Sequence, residues 1–197
     1  MNIIVLGDSI AWGAFDEQKG GWVERLKTHL FKHDCFVYNC SVSGDTSADL
    51  LCRMAIEIKA RKDKNEDLGI IIAIGANDCG FDNTKKLAAT LPTYHEHINE
   101  MYKYAKNHTD NILFVGLTQV DDKRTQPVHW DENLNYNNEH TKQYNDALKQ
   151  VCVLNKIMYV SLIDLKSNNF VDGVHPNKTT HQQIFLRVKA KIKQWYK

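Results

Sequence analysis

The sequence predicts an α/β fold, a three-layer α/β/α sandwich built on a five-stranded parallel sheet. Three observations carry this. Short, apolar, β-branched runs recur at 2 to 7, 35 to 40, 69 to 75, 111 to 117 and 157 to 163. Segments with apolar residues at helical spacing lie between most of them. The runs also lack the polar and apolar alternation of a sheet with one wet face: Ile3, Ile4, Val5 and Leu6 are continuous, as expected of strands covered on both sides. Strands of this kind joined by helices fit right-handed crossovers in a parallel sheet.

Taken in order, the first run breaks at Gly7 and leads into Asp8 and Ser9. Asp or Ser at such a turn suits a helix N-cap, and Ser also suits a nucleophile; both readings stand at this point. "GWVERLKTHLF" then spaces Trp22, Leu26 and Leu30 four apart, and "SADLLCRMAIEIKAR" repeats Leu50, Leu51, Met54 and Ile58. A third helical pattern over 84 to 107 carries Leu87, Leu91, Tyr94, Ile98, Met101 and Tyr102. Residues 119 to 140 are polar, contain Pro127 and lack a sustained period, which predicts a long loop. Loops longer than about 12 to 15 residues are usually functional or disordered, and this one holds His129 and Trp130. The final helix, "THQQIFLRVKAKIKQWYK", places Ile184, Val188, Ile192 and Trp195 on a core stripe and turns Lys189, Lys191, Lys193 and Lys197 elsewhere.

Composition narrows the function. With 197 residues, 43% hydrophobic and 25% charged, the chain reads as a single domain over 1–197. A net charge of +1 gives no field for nucleic acid or an acidic membrane, so a small neutral or modestly charged ligand is expected. No apolar stretch approaches the ~20 residues of a membrane span, so no stable membrane insertion is expected. The first strand begins at Asn2 and leaves no room for a signal segment, which predicts a cytoplasmic protein. Cys35, Cys40, Cys52, Cys79 and Cys152 form an odd set without C-x-x-C spacing, arguing against a disulfide framework or a zinc site.

Ligands of an open parallel sheet bind at the carboxyl ends of its strands. Those ends read "GDS" at 7 to 9, "NCSVSGDTS" at 39 to 47 and "GAND" at 75 to 78, with "VDGVHPN" at 171 to 177 after the last strand. Their chemistry is complementary. Ser9 needs a base to become nucleophilic, and His175 suits that task near neutral pH. Asp172, three residues earlier across Gly173, is placed to hold the imidazole in one tautomer. A developing oxyanion needs fixed donors, and the Ser9 and Gly44 backbone N–H groups and the Asn77 amide are the candidates. Asp8, Cys79, His129 and Trp130 are further candidates for substrate contact.

These blocks make the sequence similar to the SGNH, or GDSL, hydrolases. The likeness rests on "GDSI", the glycine of "SVSGDT", Asn77 in "GAND" and "DGVH", and it spans almost the whole chain. "VYNCSVSGDTS" and "DGVHPN" look like the small lysophospholipase, thioesterase and arylesterase branch. The resemblance implies a flavodoxin-like three-layer fold, Ser9 as nucleophile, His175 as base, Asp172 as orienting acid, Ser9, Gly44 and Asn77 as oxyanion hole, and neither metal nor other cofactor. A small-molecule acyl ester is the expected substrate, with a sugar acetate or an acyl thioester as alternatives for the same triad. The sequence departs from the family where Thr180 stands near a common glycine, and where Cys79 follows "GAND". Two rivals are weaker. A flavodoxin-like binding module lacks a glycine-rich phosphate loop here, and His95 and His97 of "YHEHI" are two apart, so they do not share a helical face for a metal.

Overall fold

The computed structural model describes residues 1–165 and 170–196. The central strands set the layers. β1 (Asn2–Gly7) is buried at every position, and so is β3 (Leu68–Ala73) except at its last residue. Side chains alternate across a strand, so each supplies both faces. Ile4, Leu6, Ile70 and Ile72 face one core, where they meet Leu50, Met54, Tyr94, Ile98, Tyr144 and Leu148. Ile3, Val5 and Ile71 face the other, against Trp22, Leu26, Leu30, Ile184 and Val188. Neither face alternates with water, which is why the strands read as unbroken apolar runs.

With β2 (Phe36–Asn39), β4 (Asn111–Val115) and β5 (Met158–Val160), these strands form a parallel sheet in the order β2-β1-β3-β4-β5. This is a flavodoxin-like order, with its reversal between β1 and β3. Helices α3 (Ser47–Arg61), α4 (Leu91–Lys106) and α5 (Asn138–Leu154) cover one face. Helices α2 (Gly21–Phe31) and α6 (Lys178–Lys191) cover the other, and the short α1 (Ser9–Trp12) follows β1 directly.

Several elements differ from the sequence expectation. The third helical pattern begins at Leu91 rather than 84, because Thr90 caps the Thr93 N–H and Pro92 occupies the first turn. The expected loop ends at Asn137, which caps the His140 N–H and starts α5. Helix α5 was hidden by polar residues on its inner face. Asn145 is buried there and spends its Oδ1 on the Leu117 N–H (3.0 Å) and the Tyr159 hydroxyl (2.7 Å). The last helix stops at Lys191 and continues as a 3-10 turn over Lys193–Trp195, with Trp195 against Gly69; Lys197 lies outside the described residues. Thr180 is buried, and Asn177 caps its N–H (3.0 Å), so α6 starts without the family's glycine. All five cysteines are free thiols. Among the described residues no helix is long and apolar enough to cross a membrane.

A buried ion pair holds the segment after α1. Arg25 pairs with Asp16 and also donates to the Gly21 carbonyl (2.8 Å) and the Lys178 carbonyl (3.3 Å). His181, fully buried in α6, lies with its Nε2 3.4 Å from the Ala14 carbonyl oxygen. Residues 14 and 16 are thereby fixed on both sides of Phe15, which adopts φ +60° and stays 54% exposed.

Two buried groups make opposite contributions to acid stability. Burial pushes the His181 imidazole from 6.5 down to about 4, and the Asp8 carboxyl from 3.8 up to about 6. As pH falls from 6.5 to 4, the unfolded chain takes up a His181 proton that the fold refuses, and stability declines. As pH falls from 6 to 3.8, the fold takes up an Asp8 proton that the unfolded chain refuses, and stability rises. Each contribution integrates to about 3 kcal/mol. In thermal melts from pH 7 to 4, Asp8→Asn is expected to lose stability more steeply than wild type, and His181→Gln less steeply. Parallel curves for all three proteins would refute this assignment.

Candidate active site

The site begins with a steric constraint on β1. A Cβ on Gly7 would lie 2.5 Å from the Ala73 carbonyl oxygen and 2.7 Å from the Ala11 Cβ, so only glycine lets α1 fold back this closely. The capping reading falls to the first of the next two residues. Asp8 is the N-cap, accepting the Ile10 N–H at 2.9 Å, and Ser9 is the first residue of the helix.

Ser9 Oγ lies 2.9 Å from His175 Nε2, and His175 Nδ1 lies 2.6 Å from Asp172 Oδ2. The other Asp172 oxygen accepts the backbone N–H groups of Val174 (3.0 Å) and His175 (2.8 Å), which folds the turn around the carboxylate. Burial alone would raise the Asp172 carboxyl, but the His175 ring and these N–H groups outweigh it and hold it below the usual carboxylate range. The turn is pinned from outside as well. Gly173 accepts the Asp121 N–H (2.8 Å), and Arg124 donates to the Phe170 (3.1 Å) and Val171 (2.6 Å) carbonyls.

Opposite them stand Gly44 and Asn77, in a cavity of about 330 Å³ that also includes Ser9, Thr46, Trp130, Tyr136 and His175. Asn77 Nδ2 donates to the Asp45 carbonyl at 2.8 Å, tying the Asn77 amide to the loop that carries Gly44. Arg53 holds the same loop through the Asp45 carboxylate (2.6 Å) and binds the Cys40 (2.5 Å) and Gly7 (3.2 Å) carbonyls, joining it to the ends of β2 and β1. Asp78, fully buried, accepts the Ser47 N–H and hydroxyl at the start of α3. Burial raises the Asp78 carboxyl despite these bonds.

The structure thus brings Ser9, His175, Asp172, Gly44 and Asn77 to one edge, as the strand-end reading expects. The candidates for substrate contact divide. Trp130 lines the cavity, its ring centroid 5.7 Å from that of His175. His129 is exposed and packs edge-on against Trp130 rather than lining it. Two expectations are corrected. Asp8 is turned into the helix cap, toward a small internal space beside Thr118 and Leu162, and Cys79 is buried against the Ala76 carbonyl (3.2 Å) and Thr141; neither lines the cavity. His95 and His97 part company too, His97 meeting Ser47 Oγ at 2.7 Å and His95 meeting Asn99.

Sequence reasoning missed Phe15, Tyr136, Asp78 and Arg53. Phe15 packs at a tilt against His175, their ring centroids 5.0 Å apart, and the Tyr136 hydroxyl donates to Asn77 Oδ1 at 3.2 Å. A carboxylate directly after Asn77 at the end of a buried strand was a signal for Asp78. Phe15, Tyr136 and Arg53 act through contacts 8 to 160 residues away, outside any helix or strand period.

Comparison with known proteins agrees with this architecture. Residues 5–183 match the GDSL-like lipase/acylhydrolase family. A lipase/acylhydrolase of Enterococcus faecalis superposes with a TM-score of 0.79 at 20% identity, covering 100% of this chain and 98% of that one. TesA gives 0.74 at 20% identity, covering 98% and 99%. An acetyl xylan esterase variant of Geobacillus stearothermophilus gives 0.73 at 18% identity, covering 97% and 94%. No curated protein matches the sequence significantly. With the family matched over nearly its whole length, the chain belongs to the GDSL-like lipase/acylhydrolases.

Proposed function

We propose that the protein is a serine esterase that cleaves small or medium acyl esters through an acyl-enzyme on Ser9. The observation that carries this reading is the continuous chain of contacts from Ser9 Oγ to His175 (2.9 Å) and from His175 to Asp172 (2.6 Å). Asp172 accepts a hydrogen bond from Nδ1–H, which keeps the proton on Nδ1 and so leaves Nε2 as the base facing Ser9. In the first step Oγ bonds to the ester carbonyl carbon and Nε2 takes the hydroxyl proton. The carbonyl oxygen becomes an oxyanion held by the Ser9 and Gly44 N–H groups and the Asn77 amide. Collapse breaks the bond to the alcohol, which leaves with the proton from Nε2. Water then repeats the sequence and releases the acid. A cavity of about 330 Å³ lies at the small end of ligand sites, which supports a short acyl group over a long one.

A second reading, a carbohydrate O-deacetylase, draws on the leaving-group side. The base that protonates the alcohol has two exposed rings against it, Phe15 (54% exposed) and Trp130 (43%), and an open groove that includes Phe15 adds Trp12, Glu17 and Asn39. Aromatic faces with carboxylate and amide groups suit a ring-shaped, hydroxylated alcohol.

Three results are expected with p-nitrophenyl acetate. Ser9→Ala is inactive, and Ser9→Ala/His175→Ala is no worse, because triad members act as a unit; additive losses would refute the triad. Asn77→Ala loses about 10²–10³ in kcat. Across a series of p-nitrophenyl esters and acetylated sugars, Phe15→Ala and Trp130→Ala shift preference and KM while Ser9 still reacts with a fluorophosphonate. An unchanged profile would remove both rings from the substrate site.

A further inference from the structure

The oxyanion donor Asn77 has a supporting residue in the segment that the sequence marks as a long polar loop. A primary amide has two N–H donors and one carbonyl acceptor. Asn77 spends one N–H on the Asp45 carbonyl (2.8 Å), and its Oδ1 accepts the Tyr136 hydroxyl (3.2 Å). One N–H is left for the cavity that holds Ser9. The opposite amide orientation would set Oδ1 against the Asp45 carbonyl, two acceptors face to face.

Tyr136 is itself held from two sides. Its N–H donates to the Thr125 carbonyl (2.8 Å), and the Thr125 hydroxyl donates back to the Tyr136 carbonyl (2.9 Å). The preceding residue, Asn135, exchanges both backbone hydrogen bonds with Phe81, at 2.9 and 2.8 Å. The ring then lies on Gly80, where a Cβ would come within 2.9 Å of its Cε1. Gly80 does not have a left-handed backbone, so its lack of a side chain here serves the approach of this ring. Tyr136 is only 4% exposed, and its phenol is held well above its ordinary value by burial, so it stays a donor.

We propose that Tyr136 is a positioning residue for catalysis: its hydroxyl locks the Asn77 amide in the orientation that aims an N–H at the oxyanion. A hydrogen bond accepted at Oδ1 also polarises the amide and strengthens its N–H as a donor. The 119 to 140 segment thereby reaches the reacting atoms through Asn77, besides presenting Trp130 to the cavity. This inference rests on the reading of Asn77 as an oxyanion donor.

The test compares wild type, Tyr136→Phe, Asn77→Ala and the double variant, using p-nitrophenyl acetate turnover and the rate at which a fluorophosphonate labels Ser9. In that labelling the P=O oxygen takes the oxyanion's place. Tyr136→Phe keeps the ring on Gly80 and is expected to lower kcat and the labelling rate about five- to tenfold. KM and the melting temperature should stay near wild type. The double variant is expected to be no slower than Asn77→Ala, since without the amide there is nothing for the hydroxyl to orient. Losses that multiply, or a loss confined to KM, would overturn the proposal, as would an unchanged kcat in Tyr136→Phe while Asn77→Ala is impaired. If Asn77→Ala is as fast as wild type, the oxyanion reading of Asn77 fails, and the role of Tyr136 falls with it.

Discussion

Burial of the two central strands on both faces is the constraint from which the rest follows. A strand covered by helices above and below pairs in parallel and returns through a crossover, so every connection leaves from the same edge. Ser9 and His175, separated by 166 positions, meet at 2.9 Å on that edge. The separation itself costs little, because the entropy of closing a loop grows by only about 0.6 kcal/mol per doubling of its length. What holds the pair at this distance is the packing beneath it. Gly7 lets α1 fold tightly onto β1, and the Asp172 turn closes on its own backbone.

The layers and the strand-end residues that meet at the site were legible in the sequence because both are local signals. Five strands announce themselves as apolar runs, the central two buried throughout or nearly so, and polar clusters at or beyond the ends of four of them mark the site's edge. The departures have equally physical reasons. Helix α5 carries Asn145 and Thr141 on its inner face, where they satisfy backbone and side-chain partners, so its apolar stripe is broken. Asp8 and Cys79 sit beside reactive motifs in the chain, yet their side chains point into the protein. Phe15 and Tyr136 reach the site from positions whose immediate neighbours give no hint of it; their placement is decided by Arg25 and Thr125, about ten residues away, and by the distant His181 and Phe81.

Three buried carboxylates surround the site, and they are not equivalent. Asp172 is held below the ordinary range by the imidazole it faces, whereas Asp8 and Asp78 are raised by burial although each accepts hydrogen bonds. Asp172 is the one that, in the proposed mechanism, faces a ring that gains charge during proton transfer. Asp78 instead anchors the start of α3, and with Arg53 it gives the Gly44 loop two attachments to the sheet edge. Burying such groups is costly without partners. Here each is spent on fixing a backbone segment at the site.

The position of the Asp172–His175 turn after the last strand also imposes an order in time. A chain emerging from the ribosome presents Ser9 first, then Gly44 and Asn77, and the imidazole only after all five strands have been made. On the proposed reading of the triad, the serine has no base until then, and a partly synthesised chain does not hydrolyse esters even if its amino-terminal half has begun to fold. In that proposal competence arrives with the segment that also leads into α6, so the last long helix in the chain follows directly on the turn that supplies the base.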